Sequence, residues 1–341
     1  MNIKGVPFIS VVILNYNGKG IFEDCLRSVL KSDYPDFEVI LVDNSSTDDS
    51  INWAETLLGT EKHLKIIKND RNLSYAGGNN IGIRHSNGEY IIILNNDTAV
   101  ESNWLWEIAF VMGDESIGAA QPKIIVYNSS PARIDYVGGN MDRYGYAEGR
   151  GRGQIDKGQF ESPEEIFYAG GTAMILRKKV LEEIGIFDDK FRAHWEDTDL
   201  SWRIRLRGYR IVIIPKAIIY HKGSSTMKKF ERCQDVAWQI RKNRICGLIK
   251  NYGMLNLITT LPILLGIYFL VFIKEIVVDK NLKLALSSFS AIVWNIKELP
   301  NTLRQRKTVQ GIIRRVPDRK ISQLMRRGFV AFEFLKEQVC A

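Results

Sequence analysis

Short apolar runs, each ending in a cluster of Asn, Asp or Ser, pattern the first two-thirds of the chain. Residues 8–14 (FISVVIL) form a continuous β-branched run, as in a strand buried on both faces. The run ends on Asn15-Tyr16-Asn17-Gly18, a turn cluster. Ile21, Leu26, Val29 and Leu30 then fall at helical spacing. The cycle repeats with a strand at 37–42 that ends in the polar stretch 43–48, a helix at 50–58 and a short strand at 64–67. Gly77 and Gly78 open a helix that reaches His85, and a fourth strand at 89–94 ends on Asn95-Asn96-Asp97. Repeated strand, loop and helix predict an α/β fold with a mostly parallel sheet flanked by helices. Ligands bind outside the carboxyl ends of such strands. All three polar clusters sit there, so a pocket of amides and acceptors is expected.

After residue 225 the pattern changes. Residues 255–273 carry no formal charge over 19 positions, and 284–296 none over 13. The first run meets the length of a membrane span, about 20 residues, and the second does not. A shallow helical hairpin and a pair of in-plane helices both fit, and Pro262 and Gly266 inside the first run favour a broken or re-entrant shape over a straight span. Length and composition fit about two units, placed at 1–225 and 226–341. The net charge of +8 is concentrated late, with ten basic and three acidic side chains between Pro300 and Ala341. Residues 228–254 are also basic, whereas the connector 274–283 is nearly neutral. By the positive-inside rule both ends of the apolar pair lie on the cytoplasmic side. The expectation is a peripheral, monotopic or re-entrant attachment to the cytoplasmic face of the cell membrane. A buried helix pair or a homo-oligomer interface is the other reading. No aromatic-basic pattern supports nucleic acid as a partner. The apolar run at 8–14 is too short for a secretory leader. Four scattered cysteines without a CxxC pair are expected to be reduced thiols.

Neither GxGxxG nor GxxxxGK[ST] follows a strand, so dinucleotide and P-loop sites are unsupported. The densest carboxylate cluster lies at 187–209, FDDKFRAHWEDTDLSWRIRLRGY, with Asp188, Asp189, Glu196, Asp197 and Asp199. Asp197 falls at or near a helix N-terminus, where it serves either as a cap or as a reactive carboxylate. Arg203 and Arg205 either neutralise a diphosphate or pair with nearby acids.

The ordered motifs ISVVILNYNG (9–18), VDNSSTD (42–48), SYAGGNNIG (74–82), LNNDT (94–98), GGTAMILRKKVLEEIGIFDDKF (170–191), HWEDTDLSWRIRLRGY (194–209) and PKAIIYH (215–221) resemble the inverting glycosyltransferase family 2, of GT-A fold, and more narrowly its rhamnosyltransferase-like branch. The resemblance implies a nucleotide-sugar donor held by Asn15, Asn17, Asp43, Gly77, Asn79, Asn80, Asn96 and Asp97. It implies a divalent metal, Mn²⁺ or Mg²⁺, on Asp97 and His221, with Asn95 where the family's DxD motif has its first aspartate. It further implies Asp197 as general base, Glu196 beside it to orient the acceptor, and Gly171 and Trp195 on the acceptor side. A lipid-linked or glycan acceptor is expected, with dTDP-L-rhamnose as donor. A UDP- or GDP-hexose is the first alternative and a silent scaffold of the same fold the second. A nucleotidyltransferase would want a glycine-rich loop where residues 15–18 stand. Residues 234–238 (QDVAW) lack the arginine of a processive-synthase QxxRW signature and are read as part of an interfacial helix.

Overall fold

The computed structural model describes residues 5–223 and 233–328. The strands are β1 (Ile9–Asn15), β2 (Phe37–Asp43), β3 (Leu64–Lys68), β4 (Tyr90–Asn95), β5 (Thr98–Val100), β6 (Ile117–Val126), β7 (Ile134–Tyr136), β8 (Gly139–Met141), β9 (Ala147–Gly149), β10 (Ala173–Arg177) and β11 (Arg210–His221). The four expected strands are present, each displaced by no more than a single residue. They pair in parallel in the order β3-β2-β1-β4. The sheet then turns mixed: β10 lies antiparallel between β4 and β6, and β11 runs parallel to β6. Short β5 and β7 add antiparallel edges to β11 and β6, and β8 and β9 pair separately.

Alternate residues of each apolar run feed two cores. Ile9, Val11 and Ile13 point to one side of the sheet, with Phe22, Leu26 and Val29 of α1 (Glu23–Leu30), Ile51 of α2 (Ser50–Glu55) and Ile108 of α4 (Trp104–Met112). Val12, Val42 and Ile93 point to the other, under α3 (Ser74–His85), α5 (Lys178–Ile184) and α6 (Glu196–Arg207). A run apolar at every position is therefore what a strand covered on both faces requires. Helix α3 begins three residues before the expected start, so Gly77 and Gly78 are buried inside it and do not form its exposed N-terminus. Its glycines serve close approach: a Cβ on Gly82 would collide with Val12 Cγ1 of β1.

Four more α-helices follow, α7 (Cys233–Asn251), α8 (Met254–Val277), α9 (Leu282–Thr308) and α10 (Asp318–Leu324), with a π-helical turn at Val309–Ile313 after α9. They share the second core, which runs from Trp202 through Tyr252 and Tyr268 to Ile313 and Ile321. Helix α7, which carries residues 234–238, is buried over most of its length. Helix α8 continues through Pro262 and Gly266, both exposed, without the expected break. Cys25 and Cys246 are buried thiols, but Cys233 is disulfide-bonded, against the expectation of reduced cysteines throughout. Spacing along the chain does not tell which cysteines folding brings together.

Candidate active site

Parallel register sets the three polar clusters side by side, with Asn15 opposite Asp43 and Leu14 opposite Asn95. Asn15 is fully buried at their centre. Its Nδ2 faces Ser50 Oγ at 3.0 Å, Ser46 Oγ at 3.2 Å and Asp43 Oδ1 at 3.4 Å, while its Oδ1 accepts from Asn96 Nδ2 at 3.2 Å. Asp43 accepts from the Ser46 amide at 3.1 Å and from Ser46 Oγ at 2.5 Å. Asn17, in the left-handed region at φ 49°, accepts from the Thr47 amide at 2.7 Å. The structure thus brings Asn15, Asn17, Asp43 and Asn96 into one stiff polar rim.

Gly77, Asn79 and Asn80 lie on α3 and are buried. Asn80 donates to Phe187 O at 2.9 Å and Asp189 Oδ1 at 2.5 Å, and accepts from the Phe187 amide at 3.1 Å, so its whole side chain fixes the loop after α5. Asn79 donates to Tyr75 O at 3.0 Å, and its Oδ1 is buried without a hydrogen bond.

Pairing of β5 with β11 sets His221 opposite Thr98, and so beside Asp97. Asp97 is 3 % exposed and His221 7 %. Asp97 Oδ1 and His221 Nε2 stand 3.3 Å apart, yet neither atom has an aligned hydrogen bond. Two buried, facing, unsatisfied donor atoms are what a divalent ion would satisfy, and a carboxylate with an imidazole suits Mn²⁺. Among the described residues no three His, Cys, Asp or Glu side chains converge as a metal set. Asp135 on β7, absent from the sequence reading, holds His221 Nδ1 at 2.6 Å. That contact fixes the ring and aims Nε2 at Asp97. Burial opposes a charge on His221, but the hydrogen bond to Asp135 and the negative charges of Asp97 and Asp135 push it up to about 9. Asp135 had one signal in the sequence, a lone acid between Ile134 and Tyr136 in a strand-like stretch.

Asp197 enters in the first turn of α6 and is partly exposed. Its Oδ2 accepts from the Gly171 amide at 3.0 Å and its Oδ1 from the Thr198 amide at 2.6 Å. Burial holds its carboxyl above the ordinary carboxylate value, against those hydrogen bonds and the nearby His194. Gly171 is gripped from the other side by Tyr75, whose hydroxyl donates to Gly171 O at 2.6 Å and would meet any Cβ at 2.7 Å. Burial raises the Tyr75 phenol well above its usual value, and the charges of Glu196, Asp197 and Asp97 raise it further. Sequence reasoning did not select this hydroxyl. Glu196 is buried beside Asp197. Trp195 is 5 % exposed, and its ring donates to Gly145 O at 3.0 Å from inside the core. Arg203 binds Asp199 and the carbonyls of residues 184–186, and Arg205 binds Glu165 and carbonyls of the core, so both are structural pairs.

Residues 10–185, just over half of the chain, match the family described as Glycosyl transferase family 2. The O-antigen biosynthesis protein RfbC of Myxococcus xanthus is 25 % identical over 233 residues, which cover 65 % of this chain but only 18 % of that protein. Among solved structures, S. aureus TarS 1-349 in complex with UDP superposes with a TM-score of 0.54 at 18 % identity, covering 93 % of this chain and 83 % of that one. The mannosyltransferase PcManGT from Pyrobaculum calidifontis, in complex with GDP-Man and Mn²⁺, gives 0.53 at 16 % identity, covering 94 % and 84 %. At that identity the likeness carries the fold. The family match and the mixed sheet agree, and the chain, which spans well under two thirds of the length of the first curated relatives it matches, belongs to glycosyl transferase family 2.

Proposed function

We propose that the protein transfers a single sugar, with inversion, from a nucleotide sugar to a lipid-linked or cell-surface glycan precursor. The preferred donor is dTDP-L-rhamnose, on the motif resemblance, and a UDP- or GDP-hexose fits the same chemistry. The observation that carries the reading is the buried pair of unsatisfied atoms, Asp97 Oδ1 and His221 Nε2, beside the polar rim. Asp97 and His221 would hold Mn²⁺ or Mg²⁺, which when bound neutralises charge on a leaving diphosphate. The rim of Asn15, Asn17, Asp43 and Asn96 receives base and ribose. Gly77, Asn79 and Asn80 support the donor from beneath, with Asn80 acting through the 187–189 loop.

Asp197 is the base. As the acceptor oxygen bonds to the anomeric carbon and the bond to the diphosphate breaks, Asp197 takes the hydroxyl proton. Each of its oxygens already accepts one N–H, which fixes the carboxylate and leaves lone pairs for the acceptor. Its raised proton affinity favours this transfer. Glu196 orients the acceptor from the adjacent position, Gly171 keeps the approach open, and Trp195 supports this side from the core. The exposed apolar side chains of α8 and α9 support attachment at the cytoplasmic surface of a membrane, where a lipid-linked acceptor would reside.

The test is release of nucleoside diphosphate from a panel of dTDP-, UDP- and GDP-sugars, with Mn²⁺ or Mg²⁺ and a lipid extract as acceptor. Metal-dependent turnover of one donor, abolished in Asp97→Ala and Asp197→Asn, is expected. Turnover that survives chelation and both substitutions would remove the assignment of metal and base.

A further inference from the structure

We infer that Asn243, on α7, is a positioning residue for the proposed base: it clamps the backbone at 191–195 that delivers Asp197, so the C-terminal helices belong to the catalytic unit and are not merely its attachment. The inference rests on Asp197 being the base.

Between the short 3-10 helix Asp189–Phe191 and the start of α6 the chain adopts left-handed conformations at Arg192 (φ 61°), His194 (φ 63°) and Trp195 (φ 73°), none of them glycine. Local preference disfavours such a run, which persists only where its surroundings over-determine it. The determinant is visible. Asn243 is fully buried, and its Nδ2 faces Phe191 O at 2.9 Å, Ala193 O at 3.0 Å and His194 O at 2.6 Å. Two N–H groups are thus shared among three carbonyls of one short segment. The amide orientation follows from its partners, because Asn243 Oδ1 accepts from Lys242 Nζ at 2.8 Å. That ammonium also donates to Lys190 O at 2.8 Å and lies 4.3 Å from the Trp294 ring centre. One turn or two further along, α7 holds α6 itself. Asn251 Nδ2 donates to Asp199 Oδ1 at 2.9 Å, and Lys250 Nζ to Asp199 Oδ2 at 3.2 Å and Asp188 Oδ2 at 2.8 Å.

The clamp thus fixes the entry to the helix that carries the base. It makes no hydrogen bond to the rim formed by β1, β2 and β4, and the clamped segment meets the donor side where Ala76 N donates to Arg192 O at 2.7 Å and Arg192 Nε to Ser74 Oγ at 3.1 Å. Loosening it should therefore misplace the base far more than it weakens donor binding.

The experiment uses the purified full chain in detergent, which removes any need for membrane attachment. Donor turnover is compared for wild type, Asn243→Ala, Asn295→Ala and Asp197→Asn. Asn295 is the matched control: equally buried, it donates to Lys242 O and Ala291 O and touches only helices. Asn243→Ala is expected to lower kcat by about 10²-fold with donor KM changed less than about threefold, while Asn295→Ala keeps kcat within about threefold. Equal kcat losses in the two Asn variants, an unchanged kcat in Asn243→Ala, or a loss confined to KM would overturn the clamp. If Asn243→Ala does not fold, Lys242→Met decides: a fall in kcat at constant KM supports the clamp, and an unchanged kcat overturns it. Full turnover by Asp197→Asn would instead overturn the base assignment beneath it.

Discussion

Asp197 occupies a position where function and stability oppose each other. Its carboxyl titrates above an ordinary aspartate because burial outweighs the amide hydrogen bonds from Gly171 and Thr198. For an acid whose folded pKa is raised, the native state binds the proton more tightly than the unfolded chain. Stability from this group therefore falls as pH rises from the unfolded value, about 3.9, through the folded one, and the ionised form is a standing cost at neutral pH. Replacing Asp197 by Asn removes that cost. The expected outcome is a loss of turnover of about 10²–10⁴-fold with a melting temperature at pH 7.5 no lower than wild type. A clear drop in melting temperature would mean that the carboxylate is a structural cap. Activity of the wild type needs the ionised base, so the acid limb of kcat/KM should lie above the pH at which a free aspartate titrates. A limb at the ordinary aspartate value would show that another group takes the proton.

At the scale of elements, the contact of α3 with β1 shows how glycine governs the spacing of a layer. Alanine at Gly82 would gain about 1 kcal/mol of helix propensity but lose about 1–3 kcal/mol to overpacking against the stiff Val12 side chain. Gly82→Ala should therefore destabilise in urea titration, and Val12→Ala in the same chain should restore part of the loss. Gly266→Ala on α8, where nothing lies within 4 Å, should only gain the propensity. A neutral Gly82→Ala would mean that α3 can lift from the sheet at no cost. These elements also explain what could be read from the sequence. The strands and polar clusters were legible because continuous apolar runs and turn residues are local signals, and parallel register then placed Asn15, Asp43 and Asn95 together. The motif resemblance carried Asp97, His221 and Asp197. Tyr75, Asp135 and Asn243 were not legible, since each acts across a long sequence separation through a single hydrogen bond or a carbonyl cluster. The partners of the basic residues in helix α7 were not legible for a related reason. Its Arg241, Lys242, Arg244 and Lys250 are all buried because they answer carbonyls, carboxylates and aromatic rings inside the fold.

For the whole molecule, the decisive feature is that α8 is apolar enough to span a bilayer yet is tied along its length to the catalytic body. It has a mean hydropathy of 2.1, and Leu255, Ile258, Phe269, Leu270 and Ile273 are exposed on its outer side. Its inner side is held at Leu264 and Tyr268, and near its far end Glu275 pairs with Arg241 of α7 at 2.5 Å, both buried. Breaking such a buried pair costs about 3–5 kcal/mol, which opposes α8 swinging out to span while the body stays folded. Helix α9 presents a second apolar stripe beside it through Leu282, Leu286, Phe289, Ile296, Leu299 and Leu303. Exposed Lys283, Lys297, Arg304, Lys307, Arg315 and Arg319 supply charge for anionic headgroups, each worth about 1 kcal/mol near the surface. The proposed attachment is therefore in-plane, with both helices lying on one leaflet. Leu255→Glu, Phe269→Glu and Phe289→Glu together should abolish co-flotation with anionic vesicles, since each lost side chain forfeits about 1.5–3 kcal/mol of burial. Melting temperature should not fall, because all three positions are exposed in the free protein. A cysteine placed at Lys283, in the first turn of α9, should resist an impermeant maleimide added outside intact cells and react after lysis. Labelling from outside would mean that the α8–α9 turn crosses the membrane. In that case the Arg241–Glu275 pair must open, and the C-terminal helices must be anchored by insertion across the bilayer.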